Sequence, residues 1–215
     1  MIALIDYDAG NIRSVGNALS RLGAEFELTA SPERILSADK VILPGVGNAA
    51  EAMENLRERG LCEVIRSLRV PVLGICVGLQ VLCRGSEEGP TEGLGIFDTK
   101  VRRFPTGENF CYANNKADAS HKFSPVENVA KVPHMGWNSI GNLESKLFKD
   151  LASGSFVYFV HSYYPELCPD TIATCRHGDT LFSAALRWEN FYGTQFHPEK
   201  SGDVGAAILK NFLAL

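Results

Sequence analysis

The stretch Val72-Leu73-Gly74-Ile75-Cys76-Val77-Gly78 decides the fold class. Its first four residues form an uncharged, mainly aliphatic run, which predicts a strand buried on both faces of a sheet. A helix is expected to begin near Cys76, so the chain would turn sharply from a strand into a helix there. This strand-to-helix step is the repeating unit of α/β folds.

The same alternation precedes this stretch. Apolar segments at residues 1–5, 25–29 and 40–43 predict strands. Apolar residues spaced three and four apart predict a helix after the first strand, the proline after Ser31 is typical of the start of a second helix, and residues 49–59 predict a third. The order predicts an α/β fold with an open, mostly parallel, twisted sheet flanked by helices.

The C-terminal half has a different pattern. Short strands are predicted at residues 101–104, 156–160, 172–175, 181–186 and 191–196. They would add an antiparallel strand region, with a hairpin turn at 177–179 and a final helix at 204–212. The polar stretch 105–133 predicts a long surface loop, and the segment around Trp137 is also loop-like. We expect a single domain over residues 1–215.

Composition excludes several classes of protein. The 215 residues carry 21 basic and 25 acidic side chains, a net charge of −4, whereas a nucleic-acid-binding protein is expected to be basic. No apolar run reaches the about 18 residues of a membrane helix, and the N-terminus lacks the pattern of a signal peptide, so a cytoplasmic location is expected. The six cysteines form no C-x-x-C pair, which predicts neither a metal site nor disulfides, and five of them are interpreted as small buried hydrophobic residues.

Ligands of parallel sheets bind at the carboxyl ends of the strands, which here are residues 6–11, residues 44–48 and Cys76. Gly74-Ile75-Cys76-Val77-Gly78 matches the nucleophile elbow with cysteine in place of serine. The helix N-terminus would favour the thiolate, and the N–H of Val77 would face a developing oxyanion. The alternative is a buried cysteine between two packing glycines.

A second motif, His197-Pro198-Glu199, directly follows a predicted strand. His197 can act as the base that a cysteine nucleophile needs. In an extended segment the side chain of Glu199 would lie on the same face and orient the imidazole. The alternative is a surface turn, but the two motifs, each at a strand end, together favour catalysis.

The loop Pro44-Gly45-Val46-Gly47 follows another predicted strand and can supply a second oxyanion N–H group. Residues 45–50 also match the dinucleotide fingerprint G-x-G-x-x-A. That fingerprint normally follows the first strand of its unit, whereas this one follows a later strand. A dinucleotide site would also leave Cys76 and His197 without a role, so no cofactor is expected.

These motifs resemble those of the class I (triad) glutamine amidotransferases. Three further segments are similar to one branch, the glutaminase subunit of imidazole glycerol phosphate synthase in histidine biosynthesis. They are Pro133-His134-Met135-Gly136-Trp137-Asn138, Tyr158-Phe159-Val160-His161-Ser162-Tyr163 and His197-Pro198-Glu199-Lys200-Ser201-Gly202. Asp6-Tyr7-Asp8-Ala9-Gly10-Asn11 resembles the first loop of the family, and the likeness extends over nearly the whole chain.

The resemblance implies a mechanism. Cys76 would attack the side-chain amide of L-glutamine to form a thioester, His197 would transfer protons, and Glu199 would orient His197. Val46 and Val77 would provide the oxyanion N–H groups. The positions that match those holding the carboxylate and amino ends of glutamine are Gly47, Gln80, Glu88, Ser162 and Tyr163.

The resemblance also implies a partner. Ammonia would pass to a (β/α)8-barrel cyclase subunit, in a one-to-one heterodimer that makes imidazole glycerol phosphate and an aminoimidazole carboxamide nucleotide. The matching positions on the partner face are Asn11, Arg13, His134, Trp137, Asn138 and Lys200. Two alternatives remain open, a paralogous subunit that supplies ammonia for surface-sugar amidation and a stand-alone cysteine hydrolase. A non-enzymatic member would have lost a triad residue, and all three are present.

Overall fold

A computed structural model of the chain describes residues 1–8, 10–106 and 130–215. The predicted loop at 105–133 therefore lies largely outside the described residues, as do Ala9 and Cys111. The described residues contain no helix that is long and apolar enough to cross a membrane.

The N-terminal half alternates strands and helices as predicted. Its strands are β1 (Ile2–Ile5), β2 (Phe26–Thr29), β3 (Lys40–Leu43) and β4 (Val72–Ile75). Its helices are α1 (Ile12–Arg21), α2 (Pro32–Leu36), α3 (Ala49–Glu58), α4 (Leu61–Ser67) and α5 (Val77–Leu82). The side chain of Asn48 caps α3 by accepting the N–H of Ala50 at 2.7 Å, which satisfies a donor that the helix itself cannot. Helix α4 was not predicted from the sequence.

The chain from Cys83 onward contains more strands than predicted. They are β5 (Cys83–Ser86), β6 (Thr91–Glu92), β7 (Phe97–Arg103), β8 (His134–Ile140), β9 (Ser155–His161), β10 (Tyr163–Pro165), β11 (Thr171–His177), β12 (Thr180–Trp188) and β13 (Phe191–Thr194). The predicted hairpin turn joins β11 to β12 through residues 178–179. The last helix is α6 (Gly202–Leu213), which buries Ile208, Leu209 and Phe212.

The main sheet has seven strands in the order β11-β12-β13-β4-β3-β1-β2. The five strands from β13 to β2 are parallel, and β12 and β11 extend the sheet in antiparallel fashion. A four-stranded sheet (β10-β7-β5-β6) and the hairpin β8-β9 complete the structure. The predicted α/β class, a mostly parallel sheet with an antiparallel addition, is confirmed.

The segment around Trp137 was predicted as a loop, and this prediction is wrong. Trp137 lies within β8, opposite Tyr158 of β9. The inward face of β8 carries His134, Gly136, Asn138 and Ile140, of which only His134 and Ile140 are fully buried. The strand therefore lacks the apolar alternation that reveals most half-buried strands.

The sheet order sets the position of the site. Strands β13, β4, β3 and β1 are consecutive neighbours and run parallel, so their carboxyl ends lie side by side. Directly after these ends come His197, Cys76, the loop 44–47 and the loop 6–11. The three segments singled out as strand ends thus meet one another and the His197 motif.

Candidate active site

Cys76 lies at a sharp turn between β4 and α5. Its backbone has φ 54° and ψ −108°, a conformation that side-chain-bearing residues rarely adopt, and its N–H donates to the carbonyl of Thr194 at 2.7 Å. A Cβ at Gly78 would lie 1.9 Å from the carbonyl oxygen of Leu43, so the chain passes too close to β3 for any side chain there. This is the elbow geometry that the glycine spacing predicted.

His197 and Glu199 form a buried pair beside this elbow. The Nδ1 atom of His197 lies 2.8 Å from Oε1 of Glu199, and both side chains are inaccessible to solvent. The sequence predicted this contact in an extended segment, but Glu199 lies in a 3-10 turn over Pro198–Lys200. The turn, not strand alternation, brings the carboxylate back to the imidazole.

The charge state of His197 depends on its neighbours. Burial alone would lower the pKa of His197, but the Cys76 sulfur and then the Glu199 carboxylate raise it to about 10. Its Nε2 atom is buried and has no hydrogen-bond partner among the described residues. An imidazolium paired with a cysteine thiolate is the arrangement that activates a cysteine nucleophile.

A cavity of about 240 Å³ opens at Cys76. It is lined by both residues predicted to supply oxyanion N–H groups and by all five predicted to hold the substrate ends. These are Val46, Val77, Gly47, Gln80, Glu88, Ser162 and Tyr163. Val77 is the first residue of α5, so its N–H has no partner within the helix and is available to a ligand.

Glu88 contributes a carboxylate to this cavity. One of its oxygens accepts the N–H of Ala49 at 2.8 Å, at the start of α3. Its half-burial raises its pKa. The hydrogen bond to Ala49 fixes the carboxylate at the cavity wall, where it can meet a cationic group.

The six residues predicted on the partner face occupy different environments. Arg13, Trp137 and Lys200 are exposed, and Asn138 is partly exposed. Asn11 is partly buried, and its side-chain amide donates to Glu199 Oε1 at 2.6 Å, so it contacts the predicted triad directly. His134 is only 4% exposed and its imidazole is hydrogen-bonded to that of His161, which does not fit a direct contact with a partner.

Two side chains at the site were not singled out from the sequence. The hydroxyl of Tyr7 donates to the carbonyl of Pro44 at 2.6 Å, and burial, with a smaller contribution from Cys76, raises the pKa of this tyrosine. The amide of Gln195 donates to the Cys76 sulfur at 3.5 Å. Gln195 stands two positions before His197, and this spacing, which in an extended chain places side chains on the same face, was the one available signal.

Comparison with known proteins adds to this geometry. Residues 3–215 match the family model described as glutamine amidotransferase class-I. A protein of Bacteroides thetaiotaomicron named imidazole glycerol phosphate synthase subunit HisH is 50% identical over 214 residues, which cover 100% of this chain and 99% of that protein. A protein of Pasteurella multocida with the same name is 43% identical, over 99% of this chain and 96% of that protein.

Solved structures are similar at lower identity. A crystal structure of a glutamine amidotransferase has a TM-score of 0.67 and 20% identity, over 100% of this chain and 98% of that chain. The structure of PurLQS from Thermotoga maritima has a TM-score of 0.63 and 16% identity, over 99% of this chain and 97% of that chain. At such identities the likeness establishes the fold alone.

Proposed function

Because this chain belongs to the class I glutamine amidotransferase family, we propose that it hydrolyses L-glutamine to glutamate and ammonia through Cys76, His197 and Glu199. The relatives named HisH are similar over their full length, so the role proposed is that of the glutaminase subunit of imidazole glycerol phosphate synthase in histidine biosynthesis. One observation carries the proposal: a buried Cys-His-Glu cluster adjoins a cavity lined by every residue expected to bind glutamine.

The first half of the reaction forms a thioester. The Cys76 sulfur attacks the side-chain amide carbon, and the carbonyl electrons move to the oxygen, where the N–H groups of Val46 and Val77 stabilise the negative charge. His197 then gives a proton to the amide nitrogen, the C–N bond breaks, and ammonia leaves. Glu199 holds the imidazole in the orientation that these transfers need.

The second half of the reaction releases glutamate. His197 takes a proton from water as the water oxygen attacks the thioester carbon. The C–S bond breaks and its electron pair returns to the Cys76 sulfur. The α-ammonium of glutamine faces the carboxylate of Glu88, and Gly47, Gln80, Ser162 and Tyr163 line the rest of the cavity that takes its amino and carboxylate ends.

Ammonia released in this way serves a second subunit. The proposed partner is the (β/α)8-barrel cyclase, in a one-to-one heterodimer, which uses ammonia to make imidazole glycerol phosphate and an aminoimidazole carboxamide nucleotide. Arg13, Trp137 and Lys200 are exposed and available for this contact. The cytoplasmic location expected from the sequence suits this role and stays a prediction, as does a single domain over residues 1–215.

The test is glutamine hydrolysis measured under four conditions. These are the protein alone, with the cyclase barrel of the same genome, with the nucleotide substrate of the cyclase, and with both. We expect a sharp rise in rate only when barrel and nucleotide are both present, because a glutaminase that worked alone would waste glutamine. The Cys76→Ser variant, which is nearly isosteric, should show no hydrolysis under any condition while binding the barrel normally.

Three outcomes would contradict parts of this proposal. Full activity of the isolated protein would refute coupling to the cyclase. A barrel that neither binds nor activates would leave the triad intact but direct the ammonia elsewhere, with surface-sugar amidation as the leading alternative. Labelling of Cys76 by a generic thiol reagent in preference to a glutamine-analogue electrophile would favour a stand-alone cysteine hydrolase.

A further inference from the structure

Gln195 is a fully buried polar residue whose side chain contacts the reacting atom of the proposed mechanism. Its Nε2 donates to the Cys76 sulfur at 3.5 Å, and its backbone N–H donates to the carbonyl of Ala184 at 2.8 Å. A hydrogen bond to the charged form of an ionisable group favours that form. A donor on this sulfur therefore favours the thiolate, both as the attacking species and as the group that leaves when the thioester is hydrolysed.

The direction of this bond is set by a second amide. Gln195 Oε1 accepts from Gln80 Nε2 at 3.0 Å, and the same Nε2 donates to the backbone carbonyl of Tyr163 at 3.1 Å. A carbonyl oxygen can only accept, so Gln80 must turn its NH2 group toward Tyr163. That NH2 group then meets the oxygen of Gln195, which leaves the NH2 group of Gln195 facing the sulfur.

Two buried histidines continue the network from the carbonyl of Tyr163. His161 Nδ1 lies 2.7 Å from this carbonyl and must donate to it, so the Nε2 of a neutral His161 is an acceptor. His134 Nδ1 lies 3.0 Å from that Nε2 and donates to it. Burial lowers the pKa of His161 well below its ordinary value, and that of His134 to about 3, so both rings are neutral at pH 7.

The far end of the network is also anchored on a backbone carbonyl. Asn138 Nδ2 donates to the carbonyl of Arg176 at 2.9 Å and lies 3.1 Å from His134 Nε2. Its amide orientation is therefore fixed, and His134 Nε2 must accept. The tautomers required by the Arg176 carbonyl agree with those required by the Tyr163 carbonyl, so His161 and Gln80 both donate to Tyr163 and no hydrogen bond of the network is in conflict.

We propose that Gln195 is a further catalytic residue of the glutaminase reaction, donating a hydrogen bond to the Cys76 sulfur, and that His161 is a positioning residue, which holds in place the Tyr163 carbonyl that orients Gln80 and so Gln195. The inference rests on the function proposed above. Unlike that function, it can be tested without the cyclase, because the hydrogen bond acts on the Cys76 sulfur of the isolated chain.

The test measures the rate at which iodoacetamide labels Cys76 as a function of pH, read from the mass of the Cys76 peptide, with the partly buried Cys62 as an internal reference. In Gln195→Leu the sulfur loses its donor. Because an intramolecular hydrogen bond contributes a net factor of about two to ten, we expect the midpoint of the Cys76 profile to rise by about 0.3 to 1 pH unit, while that of Cys62 does not move.

A matched control separates this effect from loose packing. Thr194→Val deletes the neighbouring buried hydroxyl, which has no hydrogen-bond partner among the described residues, and should leave the midpoint unchanged. An unchanged midpoint in folded Gln195→Leu would overturn the catalytic assignment, as would an equal shift in Thr194→Val.

The positioning role of His161 has its own pair of variants, which also serve if Gln195→Leu does not fold. In His161→Asn the amide Nδ2 can replace Nδ1 as the donor to Tyr163, whereas His161→Leu has no donor. We expect His161→Leu to raise the midpoint and His161→Asn to restore it. Equal midpoints in the two variants would refute the positioning role. A failure of the cyclase assay combined with the predicted midpoints would refute the proposed pathway and leave this inference standing.

Discussion

Replacement of Cys76 tests whether the elbow stores backbone strain. Cys76→Ala and Cys76→Gly both remove the thiol, so both should be inactive. The difference between their free energies of unfolding therefore reports on the backbone conformation at this position. In an ordinary conformation the glycine variant would be the less stable by about 0.5–1 kcal/mol, because glycine loses more chain entropy on folding. At φ 54° and ψ −108° the alanine variant must instead retain the strain of the native cysteine.

Residues held in such sparsely populated conformations cost about 1–3 kcal/mol each. Subtracting the entropy cost of glycine leaves Cys76→Gly more stable than Cys76→Ala by about 1 kcal/mol, and a difference of this size raises Tm by about 2–4 °C in a chain of this length. The sign of the difference is the sharp prediction, since it reverses the usual order of the two residues.

Urea unfolding followed by circular dichroism measures this difference, with equal m values required in the two variants. Cys83 provides the control, because it is also fully buried but has an ordinary φ of −70°. There Cys83→Gly should be less stable than Cys83→Ala. If glycine were the less stable residue at both positions by the same amount, the elbow would hold no strain and the reasoning would be refuted.

Three further predictions concern the site and its support. Gly78→Ala would place a Cβ 1.9 Å from the carbonyl oxygen of Leu43, so urea unfolding should show a loss of about 1–3 kcal/mol; an unchanged midpoint would contradict the close approach. Glu199→Gln should lower kcat at least about tenfold with little change in KM, because it acts on the orientation of His197; a defect in KM alone would assign Glu199 another role. Burial lowers the pKa of His134 from 6.5 to about 3, so between these pH values the unfolded chain binds more protons than the folded protein. The free energy of unfolding should therefore decrease as the pH is lowered, by about 2 kcal/mol from pH 6.5 to about pH 5 in urea titrations. A His134→Asn variant should lack this part of the slope, and an identical slope in the two proteins would refute a neutral buried His134.

Much of the site was predictable because parallel topology is regular. Once apolar runs and helical spacing identified β1, β3, β4 and β13 as strands of one sheet, their carboxyl ends had to lie at one edge. Motifs immediately after those ends, such as Cys76 and His197, were therefore expected to meet. The glycines around Cys76 indicated an elbow because a sharp strand-to-helix turn leaves no space for neighbouring side chains. In the structure, Gly78 lies so close to the backbone of Leu43 that a Cβ would not fit.

Other features left no local signal. Strand β6 has two residues and β10 has three, which is too short for a two-residue period to be recognised. Strand β8 buries His134, and this burial depends on a hydrogen bond to His161, 27 positions away. Gln195 was missed because its partners Gln80 and Cys76 are 115 and 119 positions away, and its two-residue spacing from His197 was too weak a signal by itself.

The central position of β13 governs when the active site can form during folding. Gln195 reaches Cys76 across 119 positions of sequence, so the loop that must close is among the costliest in the chain, and such pairings form late. Until β13 inserts between β12 and β4, strand β4 is an open edge that can pair with another chain, and Cys76 lacks its imidazole. The proposed triad therefore cannot assemble until synthesis has passed Glu199, more than a hundred residues after the elbow at Cys76.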